Sequence, residues 1–148
     1  MNLVDSIELS THVHATENEV KVVKALLNLV PPDLKNETNV NVIDGQGHYG
    51  NPIRTVKVQF RGEKSILVVK YILSSIDQLD KEIIIASLRS RFDGEKLYLR
   101  FNKQLAYNGI MRLDDGDDVV RVIVKFNHWA LKNEGNIEDL LRKLMNIH

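Results

Sequence analysis

Residues 53–60, Ile53-Arg54-Thr55-Val56-Lys57-Val58-Gln59-Phe60, alternate apolar and polar side chains. A strand sends successive side chains to opposite faces, so this stretch predicts a strand with one dry face and one wet face. Arg54, Thr55, Lys57 and Gln59 supply the polar face, although the alternation slips by one residue at Arg54. Just downstream the period lengthens. Ile66, Val69, Leu73 and Ile76 recur at helical spacing over residues 65–76. Just upstream, a glycine-rich stretch at 45–52 separates this strand from another at 38–44, where Val40 and Val42 alternate with asparagines. The unit is therefore two strands joined by a loop, followed by a helix.

The same reading extends in both directions. Val4, Ile7, Leu9 and Val13 predict a strand over residues 3–14 with a bulge near Ser6, because Val4 and Ile7 are out of phase. Thr16 and Glu19 have capping-box spacing, and Val20, Val23, Leu26, Leu27 and Val30 form one helical face. Pro31 and Pro32 stop that helix. Beyond residue 76, Asp77 or Asp80 caps a helix bearing Leu79, Ile83, Ile84, Leu88 and Phe92. Strands are expected at 97–101, 109–113 and 119–126, the last two separated by the aspartate-glycine turn at 114–118. Asn136 caps a final helix carrying Ile137, Leu140, Leu141, Leu144 and Met145. The order is β-α-β-β-α-α-β-β-β-α. Hairpins dominate over βαβ units, so the predicted fold class is α+β: a single, mainly antiparallel or mixed sheet with helices packed on it, one domain over 1–148.

A chain of 148 residues buries about 70% of its unfolded surface and needs no covalent staples. It has no cysteine, which excludes disulfides, thiolate metal sites and thiol nucleophiles. The sequence from Met1 lacks a basic start with an apolar run, and no apolar stretch is long enough for a membrane span, so a cytoplasmic protein is expected. Twenty basic and twenty acidic side chains cancel, so bulk charge does not advertise a nucleic-acid partner.

Gly45-Gln46-Gly47-His48-Tyr49-Gly50 has the spacing of a dinucleotide loop. That chemistry needs a helix N-terminus directly after the glycines to receive phosphate, and here Asn51, Pro52 and a strand follow instead. His12 and His14 share a strand face but have no ligand-spaced partners, so no metal or other cofactor is assigned. The 114–118 aspartates lack the spacing of a calcium loop and read as a solvated turn. No serine stands in a nucleophile elbow, and no catalytic residue is assigned. Basic residues gather in two segments: Arg54, Lys57, Arg61, Lys64 and Lys70, then Arg89, Arg91, Lys96, Arg100 and Lys103. Such residues pair phosphates, and Tyr49, Tyr98, Tyr107 or Trp129 offer rings for stacking. The competing reading is a charged solvated surface with aromatics in the core.

Four segments then occur in a telling order: His14-Ala15-Thr16-Glu17; Gly47-His48-Tyr49-Gly50-Asn51-Pro52-Ile53; Leu97-Tyr98-Leu99-Arg100-Phe101-Asn102-Lys103-Gln104-Leu105-Ala106-Tyr107-Asn108-Gly109; and Asp115-Gly116-Asp117-Asp118-Val119-Val120-Arg121-Val122. Together they resemble an archaeal family described as an RNA-binding domain or predicted exosome subunit, with a fold similar to the ribosomal protein that binds 5S rRNA. The resemblance implies a non-catalytic RNA-binding role in RNA processing, degradation or ribosome biogenesis. The implied partners are RNA and exosome or ribosome-associated proteins. Asn102 stands where that family is expected to carry an aspartate, which puts a salt bridge to Arg100 or Lys103 in doubt. The candidate RNA contacts are His48, Tyr49, Asn51, Arg54 and Lys57 on and after the glycine loop, with Arg100, Lys103, Gln104 and Tyr107 at the second loop. They form one patch if both loops share an edge of the sheet. The alternative is a protein-interaction or scaffold module using a sheet edge or an apolar helix face. The sequence leaves the oligomeric state open.

Overall fold

The computed structural model describes residues 3–47 and 49–146. In chain order the elements are β1 (Val4–Val13), α1 (Glu19–Leu27), α2 (Pro32–Lys35), β2 (Asn41–Gln46), β3 (Pro52–Arg61), α3 (Glu63–Ser75), α4 (Gln78–Ala86), α5 (Leu88–Arg91), β4 (Lys96–Asn102), α6 (Lys103–Tyr107), β5 (Val119–Phe126), α7 (His128–Asn133) and α8 (Ile137–Met145). The five strands form one sheet in the order β2-β3-β1-β5-β4, and every neighbouring pair is antiparallel.

The alternation at 53–60 does what its period dictates. Val56, Val58 and Phe60 of β3 are buried, as are Ile7 and Leu9 of β1, Leu97, Leu99 and Phe101 of β4, and Val120, Val122, Val124 and Phe126 of β5. Val22, Ala25 and Leu26 of α1, Val68, Val69, Ile72 and Leu73 of α3, and Leu140, Leu141, Leu144 and Met145 of α8 complete that core. Truncating one such large side chain to alanine costs about 2–5 kcal/mol through lost burial and the cavity left behind. The bulge expected near Ser6 is present: the β1–β5 register shifts between Val4 and Ser6. It lets Val4 and Ile7, three residues apart, both reach the core. β3 runs almost directly into α3 through Gly62, whose φ of +65° is a conformation that L side chains rarely adopt. Its N–H donates to the Asp5 carbonyl at the bulge (3.1 Å).

Several local expectations are corrected. α1 starts later than the capping box predicts, because Asn18 accepts from the Lys21 N–H while Glu17 turns back to the His14 N–H. The strand expected at 109–113 is replaced by a single bridge, Leu113 to Phe101. The Leu113 N–H goes to the carboxylate of Asp80 (3.1 Å), a side chain only 3% exposed. α4 turns a face inward that only partly matches the expected one: Ile84 is buried as expected, and so is Asp80, while Leu79 and Ile83 are exposed. The residues after β4 form the short α6 rather than a loop, because the Asn102 side chain caps it at the Leu105 N–H (2.8 Å). Among the described residues, no helix is long and apolar enough to cross a membrane.

Candidate nucleic-acid interface

The helices pack on one face of the sheet and leave the other open. On that face stand Ser6, Glu8, Ser10 and His12 of β1, Thr55, Lys57, Gln59 and Arg61 of β3, Lys96, Tyr98 and Arg100 of β4, and Arg121, Ile123 and Lys125 of β5. None of them is buried. Six are cations, and Glu8 is the one carboxylate among these residues.

Register arranges them in rows across the strands. Arg61 lies opposite Ser6, Ser6 opposite Lys125, and Lys125 opposite Lys96. The next row is Gln59, Glu8, Ile123 and Tyr98. The third is Lys57, Ser10, Arg121 and Arg100. Beyond it, His12 lies opposite Thr55 and shares a hydrogen bond with its hydroxyl (2.9 Å). Two cationic rows thus flank a mixed one. They are four residues apart along the strands, about 13 Å at the usual rise.

Like charges directly opposite one another destabilise a sheet. Here Lys96 faces Lys125, and Arg100 faces Arg121. Relief is partial. Lys125 reaches Glu95 (3.4 Å), Lys57 reaches Glu8 (3.0 Å), and Arg100 donates to the carbonyls of Asp115 and Gly116 (both 3.2 Å). Among the described residues, no carboxylate forms a salt bridge with Arg61, Lys96 or Arg121. His12 carries the electrostatic imprint of this face. Its pKa lies below the ordinary value, through partial burial and then the positive charge of Arg121, with His14 and Lys103 adding to it.

The residues singled out from sequence fall into three places. Lys57 and Arg100 are on the open face. Tyr49, 92% exposed, and Asn51, whose carbonyl accepts from the Gly47 N–H, are on the glycine loop; His48 lies outside the described residues. The rest sit at the sheet end or on its helix side. Arg54 binds Glu19 (2.9 Å) and Asp44 (3.1 Å). Gln104 donates to Asp118 (3.0 Å). Tyr107 packs on the core beneath the Lys24 ammonium, 4.4 Å from its ring centre. The two loops do share one end of the sheet, since β1 and β4 finish there while β3 and β5 begin there. They stand at opposite edges of it, with β1 and β5 between them.

Lys103 is 2% exposed, and its ammonium donates to the His12 carbonyl (2.8 Å), to Glu17 (2.9 Å) and to Asp118 (2.8 Å). An ammonium has three hydrogens, and here each has an acceptor. Burial works against the charge on Asp118, but the hydrogen bonds from Lys103 and Gln104 outweigh it and hold its pKa below the ordinary carboxylate value. His14, Glu17 and Asp118 bring ligand atoms within 4.8 Å of one another. The lysine ammonium fills the cation position between those two carboxylates. Asn102 also finds its reason here: its amide donates to Asp114 (2.8 Å), where an aspartate would meet a second carboxylate.

Sequence reasoning underweighted Arg121, Ile123 and Lys125. Arg121, Ile123 and Lys125 fall on alternate positions of β5 and so on one face, but only register shows which cations they stand beside.

The family model described as RNA binding matches residues 6–126, which span the sheet from the β1 bulge to the end of β5. The chain belongs to this RNA-binding family. An uncharacterized protein of Methanocaldococcus jannaschii is 37% identical over 89% of this chain and 91% of its own length. An RNA-binding protein of Pyrococcus abyssi is 28% identical over 90% of this chain and 88% of its own. A crystal structure of a Sulfolobus solfataricus protein shares 34% identity and a TM-score of 0.78, covering 96% of this chain and 98% of that one.

Proposed function

We propose that this chain binds RNA without cleaving it, on the open face of its sheet. The observation that carries this reading is the pair of like-charged cross-strand contacts, Lys96 with Lys125 and Arg100 with Arg121, facing solvent. They oppose folding, and a polyanion laid across them removes the repulsion. Lys57, Arg61, Lys96, Arg100, Arg121 and Lys125 pair phosphates, and Tyr49 and Asn51 stand at the margin. We assign Arg54, Lys103, Gln104 and Tyr107 to holding the sheet end together. The exosome or ribosome-biogenesis setting, the cytoplasmic location and the kinship with the 5S rRNA-binding ribosomal fold rest on the ordered motif set alone, and are proposed on that basis.

The experiment is titration of structured RNA against wild type and the triple variant Arg61→Gln, Lys96→Gln, Arg121→Gln at low and near-physiological salt. Each phosphate contact contributes close to one unit to the slope of log affinity against log salt, so the variant slope should be shallower by about three. The variant should fold at least as stably as wild type, and the RNA should emerge intact. An unchanged slope with a folded variant would remove the open face from consideration.

A further inference from the structure

The open face is poor in stacking surface. Single-stranded RNA is commonly held by bases splayed onto several aromatic rings. Among the described residues of this face, Tyr98 is the one phenol or phenyl ring. It sits on the edge strand, 42% exposed, with its hydroxyl tied to Asp93 (3.1 Å). What the face has instead is two cationic rows about 13 Å apart, with the small hydroxyls of Ser6 and Ser10 on the strand between the cations of β3 and those of β5.

The position of Glu8 is the telling feature. It lies in the middle row, held by Lys57 at 3.0 Å and 30% exposed. A carboxylate there repels any phosphate laid along the centre of the face. It is an acceptor without a donor of its own, suited to hydroxyl or amino hydrogens. The wide, shallow minor groove of an RNA double helix has this arrangement: phosphate backbones at its two rims, with 2′-hydroxyls and guanine amino groups on its floor.

Resting on the RNA reading above, we infer that the RNA segment bound is double-helical and presented by its minor groove. The backbones lie along the two cationic rows, and Glu8, in the row between them, meets the 2′-hydroxyls. Recognition is then by shape and sugar rather than by base identity.

The test is competition among a short RNA duplex, each of its strands alone, and the DNA duplex of the same sequence, using wild type, Glu8→Gln and Tyr98→Ala. The RNA duplex should win over the single strands and over DNA by roughly tenfold, in the range of a good groove contact. Tyr98→Ala should leave duplex affinity within about threefold, since little stacking is lost. Glu8→Gln should bind DNA and single strands more tightly and narrow the preference. Single strands binding as well as the duplex, or a loss above tenfold in Tyr98→Ala, would overturn the duplex inference while leaving RNA binding intact. Failure of every RNA to bind would overturn both.

Discussion

Two regions of this molecule are rich in cations, and they are built on opposite terms. At the sheet end, Lys103 has three acceptors within 2.9 Å, and Arg54 has two carboxylates within 3.1 Å. On the open face, Arg61, Lys96 and Arg121 have no salt bridge among the described residues, and two of the cross-strand contacts set cation against cation. The first region spends its charge on closing the fold. The second holds its charge against the interest of the fold. Counting basic residues treats the two alike, and the partners of each ammonium or guanidinium separate them.

The sharpest way to break this contrast is to remove the buried lysine. Lys103→Ala leaves Glu17 and Asp118 facing each other beside an orphaned His12 carbonyl. Losing one partner of a buried ion pair costs several kcal/mol, so denaturant unfolding should show a loss of about 3 kcal/mol. RNA affinity of the folded variant should stay within about threefold of wild type, because no phosphate contact is removed. A large affinity loss without destabilisation would mean that the lysine reaches RNA.

A smaller effect tests the field of the open face. The pKa of folded His12 is lowered, so between that value and its unfolded value near 6.5 the unfolded chain binds more protons. Stability therefore falls as pH drops through 6.5, and His12→Gln should remove that component from unfolding curves taken at pH 8 and 5.5. RNA phosphates over Arg121 reverse the sign: they raise the pKa, so binding should take up a proton and tighten with falling pH. A wild-type pH slope in the variant would dissociate His12 from the effect. The smallest change is expected from Arg54→Gln. Its ion pairs are exposed and screened by solvent, and both the melting midpoint and the RNA salt slope should barely move.

How much of this was written in the sequence depends on the range of the interaction. The alternation of β3, the bulge near Ser6 and the Asn136 cap of α8 are local, and each was readable from a few neighbouring residues. The open face is not local. Ser10 lies opposite both Lys57 and Arg121, residues that are far apart in the chain, and no window contains all three. The 109–113 segment misled for the same reason: its pattern suits a strand, but Asp80, 33 residues away, takes the Leu113 N–H. Lys103 was drawn to the RNA patch by its neighbours in sequence, while its burial follows from α6 packing against α1, far away in the chain.

The six-to-one excess of cations on the open face also bears on how the molecule moves before it touches anything. Formal charge over the whole chain is zero, so the remaining surface must be correspondingly acidic. A body of this kind has little net attraction to a distant polyanion but a considerable electric dipole. At close range it is turned more than it is pulled, and it arrives with the sheet already facing the phosphates. Such a protein would be retained on a cation-exchange resin at its own isoelectric pH, where a neutral protein with evenly scattered charge would pass straight through.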